Sequence, residues 1–143
     1  MRSSRYCHPL KNNRMKIEHL AIWTNQLEQM KTFYTGFFQA HAGEKYHNPV
    51  KNFCSYFLSF DSGARLELMQ MPEIPGNKND EMEQNIGLIH FAISAGSKEQ
   101  VDALTEAIRA AGFPVIGEPR WTGDGYYESV ILDPDNNRVE LTI

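Results

Sequence analysis

Two histidines and two glutamates recur at matching places in the chain, and their side chains are of the types that bind divalent metal ions. His19 opens the phrase HLAI and His90 opens HFAI, while Glu67 lies in RLEL and Glu140 in RVEL. The histidines are 71 positions apart and the glutamates 73. The two separations differ by only two residues, and such agreement between two repeated phrases indicates a duplicated module. Imidazole nitrogen together with carboxylate oxygen suits Zn²⁺, Ni²⁺, Co²⁺, Mn²⁺ or Fe²⁺, and the residue types do not choose among these ions.

Strand periodicity predicts where these four side chains point. In the last strand Val139, Leu141 and Ile143 share one face by the period of two, so Glu140 lies on the other face. His19 lies likewise opposite the apolar row of its own strand. If a helix covers the apolar face of each sheet, the remaining faces can line a common cleft. Carboxylates repel one another in a half-dry cleft, and a divalent ion removes that cost. The alternative is two hydrogen-bonded His–Glu couples that hold no metal.

The predicted element order is β-α-β-β-β, a linker, and β-α-β-β-β again. The sequence therefore predicts an α+β fold of two tandem βαβββ modules that form a curved eight-stranded cleft. Asn25 and Ser97 are the expected helix N-caps, and the second strand is expected over residues 42–47. We expect a flexible N-terminal leader at 1–14, a first module at 15–71, a linker at 72–86 and a second module at 87–143.

Bulk composition excludes several classes of partner. The 143 residues are 41% hydrophobic and 22% charged, with a net charge of −4, as in an ordinary globular protein. Acidic and basic residues are interspersed without a basic stripe, so we expect neither a nucleic-acid nor a membrane partner. Cys7 and Cys54 provide no disulfide framework, which favours a reducing cytoplasm.

With these motifs in place, residues 15–143 are similar to the vicinal oxygen chelate superfamily, also called the glyoxalase/bleomycin resistance/dioxygenase family. The similarity is carried by the paired modules, the HLAI and HFAI openings, and the DPDNNRVEL ending, which resembles the family's DPDG-x-x-x-E signature. The ligand set resembles that of glyoxalase I, an isomerase of glutathione hemithioacetals. The resemblance implies that His19, Glu67, His90 and Glu140 bind the metal. It also implies that Glu140 is the base that moves a proton between adjacent carbons through an enediolate.

The same resemblance implies a substrate cleft and a homodimer. Family modules pair within one chain or by exchange across a dimer, and the linker permits both. Glyoxalase I typically carries an Arg where Trp23 stands and a polar residue where Met71 stands, so the usual glutathione clamp is missing. Glu128 is expected to bind a cation or to act as a second acid/base group, and the aromatic wall suits a flat or apolar ligand. The implied cleft residues are Trp23, Phe53, Ser55, Phe57, Tyr126, Glu128 and Val130.

Three functions remain open at this point. The complete His/Glu set favours a metal-dependent lyase or isomerase of the glyoxalase I type, acting on a small oxygenated substrate. The alternatives are a metal-free protein that binds a small molecule or an antibiotic such as bleomycin, and a ring-cleaving dioxygenase that would need Fe²⁺ or Mn²⁺.

Overall fold

A computed structural model of the protein describes residues 15–78, 80 and 82–143. The predicted leader at 1–14, which includes Cys7, lies outside the described residues. The described part folds as two modules, each with one helix packed on one sheet.

The first module contains one helix and a five-stranded sheet. Strand β5 lies between β1 and β4, β2 pairs with the far side of β4, and β3 also pairs with β4. The pairing of β1 with β5 is parallel, and the remaining pairs are antiparallel. The bounds are β1 His19–Trp23, α1 Leu27–Phe38, β2 His41–Ala42, β3 Tyr46–Asn48, β4 Phe53–Ser59 and β5 Arg65–Gln70.

The second module repeats this plan with a four-stranded sheet in the order β6-β9-β8-β7. Its first strand again pairs in parallel with its last. The predicted α+β architecture of two βαβββ modules is thereby confirmed. The bounds are β6 His90–Ser94, α2 Lys98–Ala110, β7 Val115–Trp121, β8 Tyr127–Leu132 and β9 Arg138–Thr142.

The described residues form nine strands rather than the predicted eight, because the strand expected over 42–47 is divided into β2 and β3. Strand β2 pairs Ala42 with Leu58, whereas β3 pairs Tyr46 with Ser55. The two registers differ by one residue, so one extra residue lies between them, as in a β-bulge. Gly43 lies at this point, and its N–H still donates to the carbonyl oxygen of Phe57 at 2.9 Å.

One of the two predicted helix caps is correct. The Ser97 hydroxyl accepts from the N–H of Gln100 at 3.2 Å, as expected of an N-cap. The prediction for Asn25 is wrong, since Gln26 is the N-cap of α1. Its side-chain amide donates to the second module, to the carbonyl oxygen of Pro134 at 2.9 Å. At the N-terminus of α1, the Gln26 side chain therefore makes a hydrogen bond to the second module and no side-chain cap within its own helix.

The helices bury the apolar face of each sheet and leave the opposite face accessible. The alternation along β1 and β6 is the same, with the second and fourth residues half-buried and the others exposed. The buried core includes Leu27, Met30, Phe33, Tyr34, Leu58, Leu66 and Leu68 in the first module, and Val101, Ile108, Ile131, Val139 and Leu141 in the second.

Helix α1 of the first module packs against the second module. The hydroxyl of Tyr34 donates to the Asp133 carboxylate at 2.8 Å, and both residues are buried. The ring of Phe33 packs edge-on against Phe113 with centroids 4.8 Å apart. Within the described residues no strand of one sheet pairs with a strand of the other. In one chain the modules therefore meet through a helix and a turn, rather than through a continuous sheet.

None of the helices in the described part of the chain is long and apolar enough to cross a membrane.

Candidate metal site and cleft

The first half-site, His19 with Glu67, lies on the edge strand β1 and its neighbour β5 in the first sheet. The parallel register places His19 opposite Arg65 and Ala21 opposite Glu67. Because side chains two residues apart share a face, the histidine and the glutamate project from the same face of neighbouring strands. His19 Nε2 lies 3.7 Å from Glu67 Oε2, and the two side chains are 40% and 15% exposed.

The second half-site, His90 with Glu140, has the same construction. The register places His90 opposite Arg138 and Ala92 opposite Glu140. His90 Nε2 lies 3.4 Å from Glu140 Oε2, with side-chain exposures of 41% and 16%. The duplication is thus reproduced in three dimensions, down to the accessibility of each side chain.

Both half-sites fit a divalent first-row metal ion. Ligand bonds of about 2.1 Å place neighbouring donors roughly 3 to 3.4 Å apart, which is close to the two nitrogen–oxygen separations. Each half-site combines one imidazole nitrogen with one carboxylate oxygen, the donor types that such ions accept. The two Nε2–Oε2 separations, 3.7 and 3.4 Å, are longer than the usual hydrogen-bond range of about 2.7–3.2 Å. The geometry therefore suits two ligands of one ion better than a hydrogen-bonded couple.

Two residues that the motif reading missed support His19. Glu18 Oε2 lies 2.5 Å from His19 Nδ1, and Arg65 pairs with the other oxygen of Glu18 at 2.6 Å. The hydrogen bond from His19, followed by that from Arg65, lowers the pKa of Glu18. A histidine that donates through Nδ1 keeps its Nε2 lone pair available to a metal. Glu18 precedes the repeated HLAI phrase and Arg65 opens RLEL, so sequence signals for both existed.

The second half-site is supported differently. Ile89 stands at the position equivalent to Glu18. Glu128 lies beside Glu140 instead, and its Oε1 pairs with Arg120 Nη1 at 3.2 Å. Burial, followed by the charge of Glu128, raises the pKa of Glu140. Two neighbouring carboxylates on a half-buried face favour a bound cation or a shared proton.

The predicted cleft residues separate into two groups, one on each sheet. In the first sheet, the ring of Phe57 contacts His19 at 5.5 Å and Phe53 contacts Trp23 at 6.0 Å, between ring centroids. Ser55 lies between the two phenylalanines on β4 and is buried. These contacts place Phe57 beside the first half-site, and Trp23 with Phe53 farther along the same face.

The second group lies beside the second half-site. Val130 is the register partner of Glu140, and Glu128 is that of Thr142. Tyr126 immediately precedes β8 and is exposed. The predicted cleft residues thus line the accessible face of both sheets, but they do so as two separate surfaces.

One chain does not bring the four predicted ligands together. Among the described residues, no group of three or more His, Cys, Asp or Glu side chains is placed to hold one ion. Each sheet contributes one pair, and the packing of α1 on the second module determines how the two sheets are oriented.

A cavity of about 780 Å³ lies between the modules and the linker. Its wall includes Trp23 from the first sheet and His90 from the second, together with Ile74, Met82 and Leu88 from the connecting segment. This volume lies in the range of pockets that bind small organic molecules.

Comparison with known proteins identifies the fold family. Residues 16–141 match the model of the glyoxalase/bleomycin resistance protein/dioxygenase superfamily. The chain belongs to this superfamily. It is 30% identical over 128 residues to the uncharacterized protein YqjT of Bacillus subtilis (strain 168), covering 87% of this chain and 96% of that protein.

Solved structures of the superfamily share the fold. A glyoxalase/bleomycin resistance protein/dioxygenase domain from Frankia sp. EAN1pec matches with a TM-score of 0.76 at 17% identity, covering 92% of this chain and 98% of that one. The trypanothione-dependent glyoxalase I of Leishmania major matches with a TM-score of 0.68 at 23% identity, covering 90% and 86%. At these identities the similarity establishes the architecture only.

Proposed function

We propose that the protein is a divalent-metal-dependent lyase or isomerase of the glyoxalase type that acts on a small oxygenated substrate. One observation carries the proposal. Two His–Glu pairs occupy the same register in two sheets, with Nε2–Oε2 separations of 3.7 and 3.4 Å. His and Glu pairs that are duplicated on accessible faces have no role in the hydrophobic core, whereas brought together by a second copy they would make one four-ligand site.

The proposal includes a homodimer in which each site is shared by two chains. One chain carries both half-sites on separate surfaces, so a second copy related by a two-fold axis can complete each of them. His19 and Glu67 would then face the partner's His90 and the partner's Glu140. Four protein ligands on a six-coordinate ion leave two positions for substrate oxygens or water.

The residues of this chain have separable tasks in the proposed reaction. A bound divalent ion would supply Lewis-acid stabilisation of negative charge on the substrate oxygens. Glu140 would take a proton from one carbon and return it to the neighbouring carbon. Glu18 orients the imidazole of His19, and Arg120 holds Glu128 beside Glu140.

A cytoplasmic location is part of the proposal, since the two cysteines give no disulfide framework, which favours a reducing compartment. Glutathione is not part of the proposal, because Trp23 and Met71 replace the polar residues that would clamp it.

Metal analysis of the purified protein tests the proposal first. We expect one Ni²⁺, Zn²⁺, Co²⁺, Mn²⁺ or Fe²⁺ ion per chain, and His90→Ala should abolish stoichiometric binding. Glu18→Gln should lower the metal affinity by about 10- to 100-fold while it leaves all four ligands in place. Turnover is then assayed with hemithioacetals of methylglyoxal and several thiols. Protein that binds no divalent ion at millimolar supply would refute the enzyme and leave metal-free ligand binding.

A further inference from the structure

Three aromatic rings cluster on the accessible face of the first sheet, away from its half-site. Phe53 contacts Trp23 at 6.0 Å and Tyr46 at 6.1 Å, between ring centroids. Trp23 is 41% exposed and Tyr46 55% exposed, so two of the three rings offer area to a ligand. We refer to Trp23, Tyr46 and Phe53 as the aromatic cluster.

The cluster shares a sheet face with the ligands of the first half-site. Along β1, His19, Ala21 and Trp23 alternate onto the same face, which separates the imidazole from the indole by about 13 Å at the usual strand rise. Trp23 also lines the cavity of about 780 Å³ between the modules, whose wall includes the charged residues Asp80, Asp135 and Arg138. An elongated molecule can therefore contact both a half-site and the cluster.

The fold does not require aromatic residues here. Ser94 occupies the position in β6 that Trp23 occupies in β1, and both are exposed at the end of strands with the same burial pattern. The second sheet thus forms with a small polar residue at that place. Because the first and last strands of the two modules are matched in register, the difference is consistent with a ligand that meets only the first module at this position.

The surroundings of the cluster include neutral polar groups. The side-chain amide of Gln70 donates to the carbonyl oxygen of Asn25, two positions after Trp23, at 3.0 Å. Trp23 itself is paired in register with Met69. Aromatic rings with a thioether neighbour bind flat, polarisable groups through edge and face contacts.

We infer that the aromatic cluster binds a flat, uncharged group at the non-reacting end of the substrate. The inference rests on the proposed function, because it places the reacting oxygens at the His–Glu ligands and the flat group about 13 Å away. It specifies a substrate class, namely an elongated molecule with an oxygenated head and a planar apolar tail. A substrate whose tail is an anionic peptide thiol would place its carboxylates against rings.

Calorimetric titration with 2-naphthol as the probe tests this inference. Trp23→Ala should weaken binding of 2-naphthol about tenfold or more, since it removes one ring contact and its buried area. Trp23→Phe keeps a ring and should stay within about threefold of the original affinity. Trp121→Ala is the matched control, because Trp121 is also exposed but packs on Tyr127 in the other sheet.

The outcomes separate this inference from the proposed function. Equal affinities for Trp23→Ala and Trp121→Ala would overturn the inference. Failure of the unaltered protein to bind 2-naphthol would overturn it as well. Co²⁺ binding is measured on the same samples, and Trp23→Ala should leave it unchanged. Failure of the unaltered protein to bind Co²⁺ would refute the metal-dependent enzyme. Binding of 2-naphthol at Trp23 would still be measurable in that case. Thermal melts confirm that each variant is folded.

Discussion

Complementation between two defective chains tests whether the metal site is shared across a dimer. One chain carries His19→Ala and Glu67→Ala, which removes the first half-site, and the other carries His90→Ala and Glu140→Ala, which removes the second. Each chain keeps one intact pair. The two chains are co-expressed with different affinity tags, and the heterodimer is isolated through both tags.

The expected magnitude follows from the arrangement of half-sites. In an exchanged dimer with two-fold symmetry, the heterodimer has one site with all four ligands and one site with none, so it should bind about half as much Co²⁺ as the unaltered dimer. Either double variant alone forms only sites with two ligands. Because losing even a supporting contact costs about 10- to 100-fold in metal affinity, sites that lack two ligands should be empty at micromolar Co²⁺.

Cobalt content and turnover of the doubly purified heterodimer are the measurements. Both should recover to about half of the level of the unaltered protein under the exchanged arrangement. If each chain closed its own site, every site in the heterodimer would lack two ligands and nothing would be recovered. A heterodimer without Co²⁺, while the unaltered protein binds it fully, would therefore refute our reasoning that the separated half-sites are completed by a second copy.

Two further predictions concern stability. Tyr34→Phe removes the donor to the buried Asp133 carboxylate and should cost about 1.5–3 kcal/mol in urea unfolding. Tyr127→Phe, whose hydroxyl donates to the more exposed Asp102, should cost less than about 1 kcal/mol, and equal losses would contradict this assignment. Hydrogen bonds from two lysines lower the pKa of Glu28 from 4.5 to about 2. Its contribution to stability is thus present above pH 4.5 and lost as the pH falls towards about 2, and Glu28→Gln should flatten the acid side of the stability profile.

Strand periodicity and the internal repeat were sufficient to predict the faces of the sheets. The period of two is a local property of an extended backbone, so it placed Glu140 opposite Val139 and Leu141 without reference to the rest of the molecule. The shared period of the His and Glu phrases also indicated that both pairs occupy equivalent registers. The structure places the two pairs in those registers. Their role as metal ligands remains a prediction.

Local patterns failed where a distant segment competed for the same group. The predicted cap at Asn25 was replaced because the side chain of Gln26 donates to the turn at Pro134, more than one hundred positions away. The support of His19 by Glu18 was missed in a similar way. The Arg65 side chain that holds Glu18 reaches it only through the parallel pairing of the first and last strands of the module.

By itself, the sequence determined the duplicated architecture and the two His–Glu pairs, because side-chain alternation and repetition are written along the backbone. Only the tertiary structure decided that the pairs lie on separate surfaces of one chain. That separation depends on α1 packing against the second module, where Tyr34 meets Asp133 across 99 positions. Burial of a helix face and one hydrogen bond between buried groups select this orientation, and neither can be read from the period of a strand.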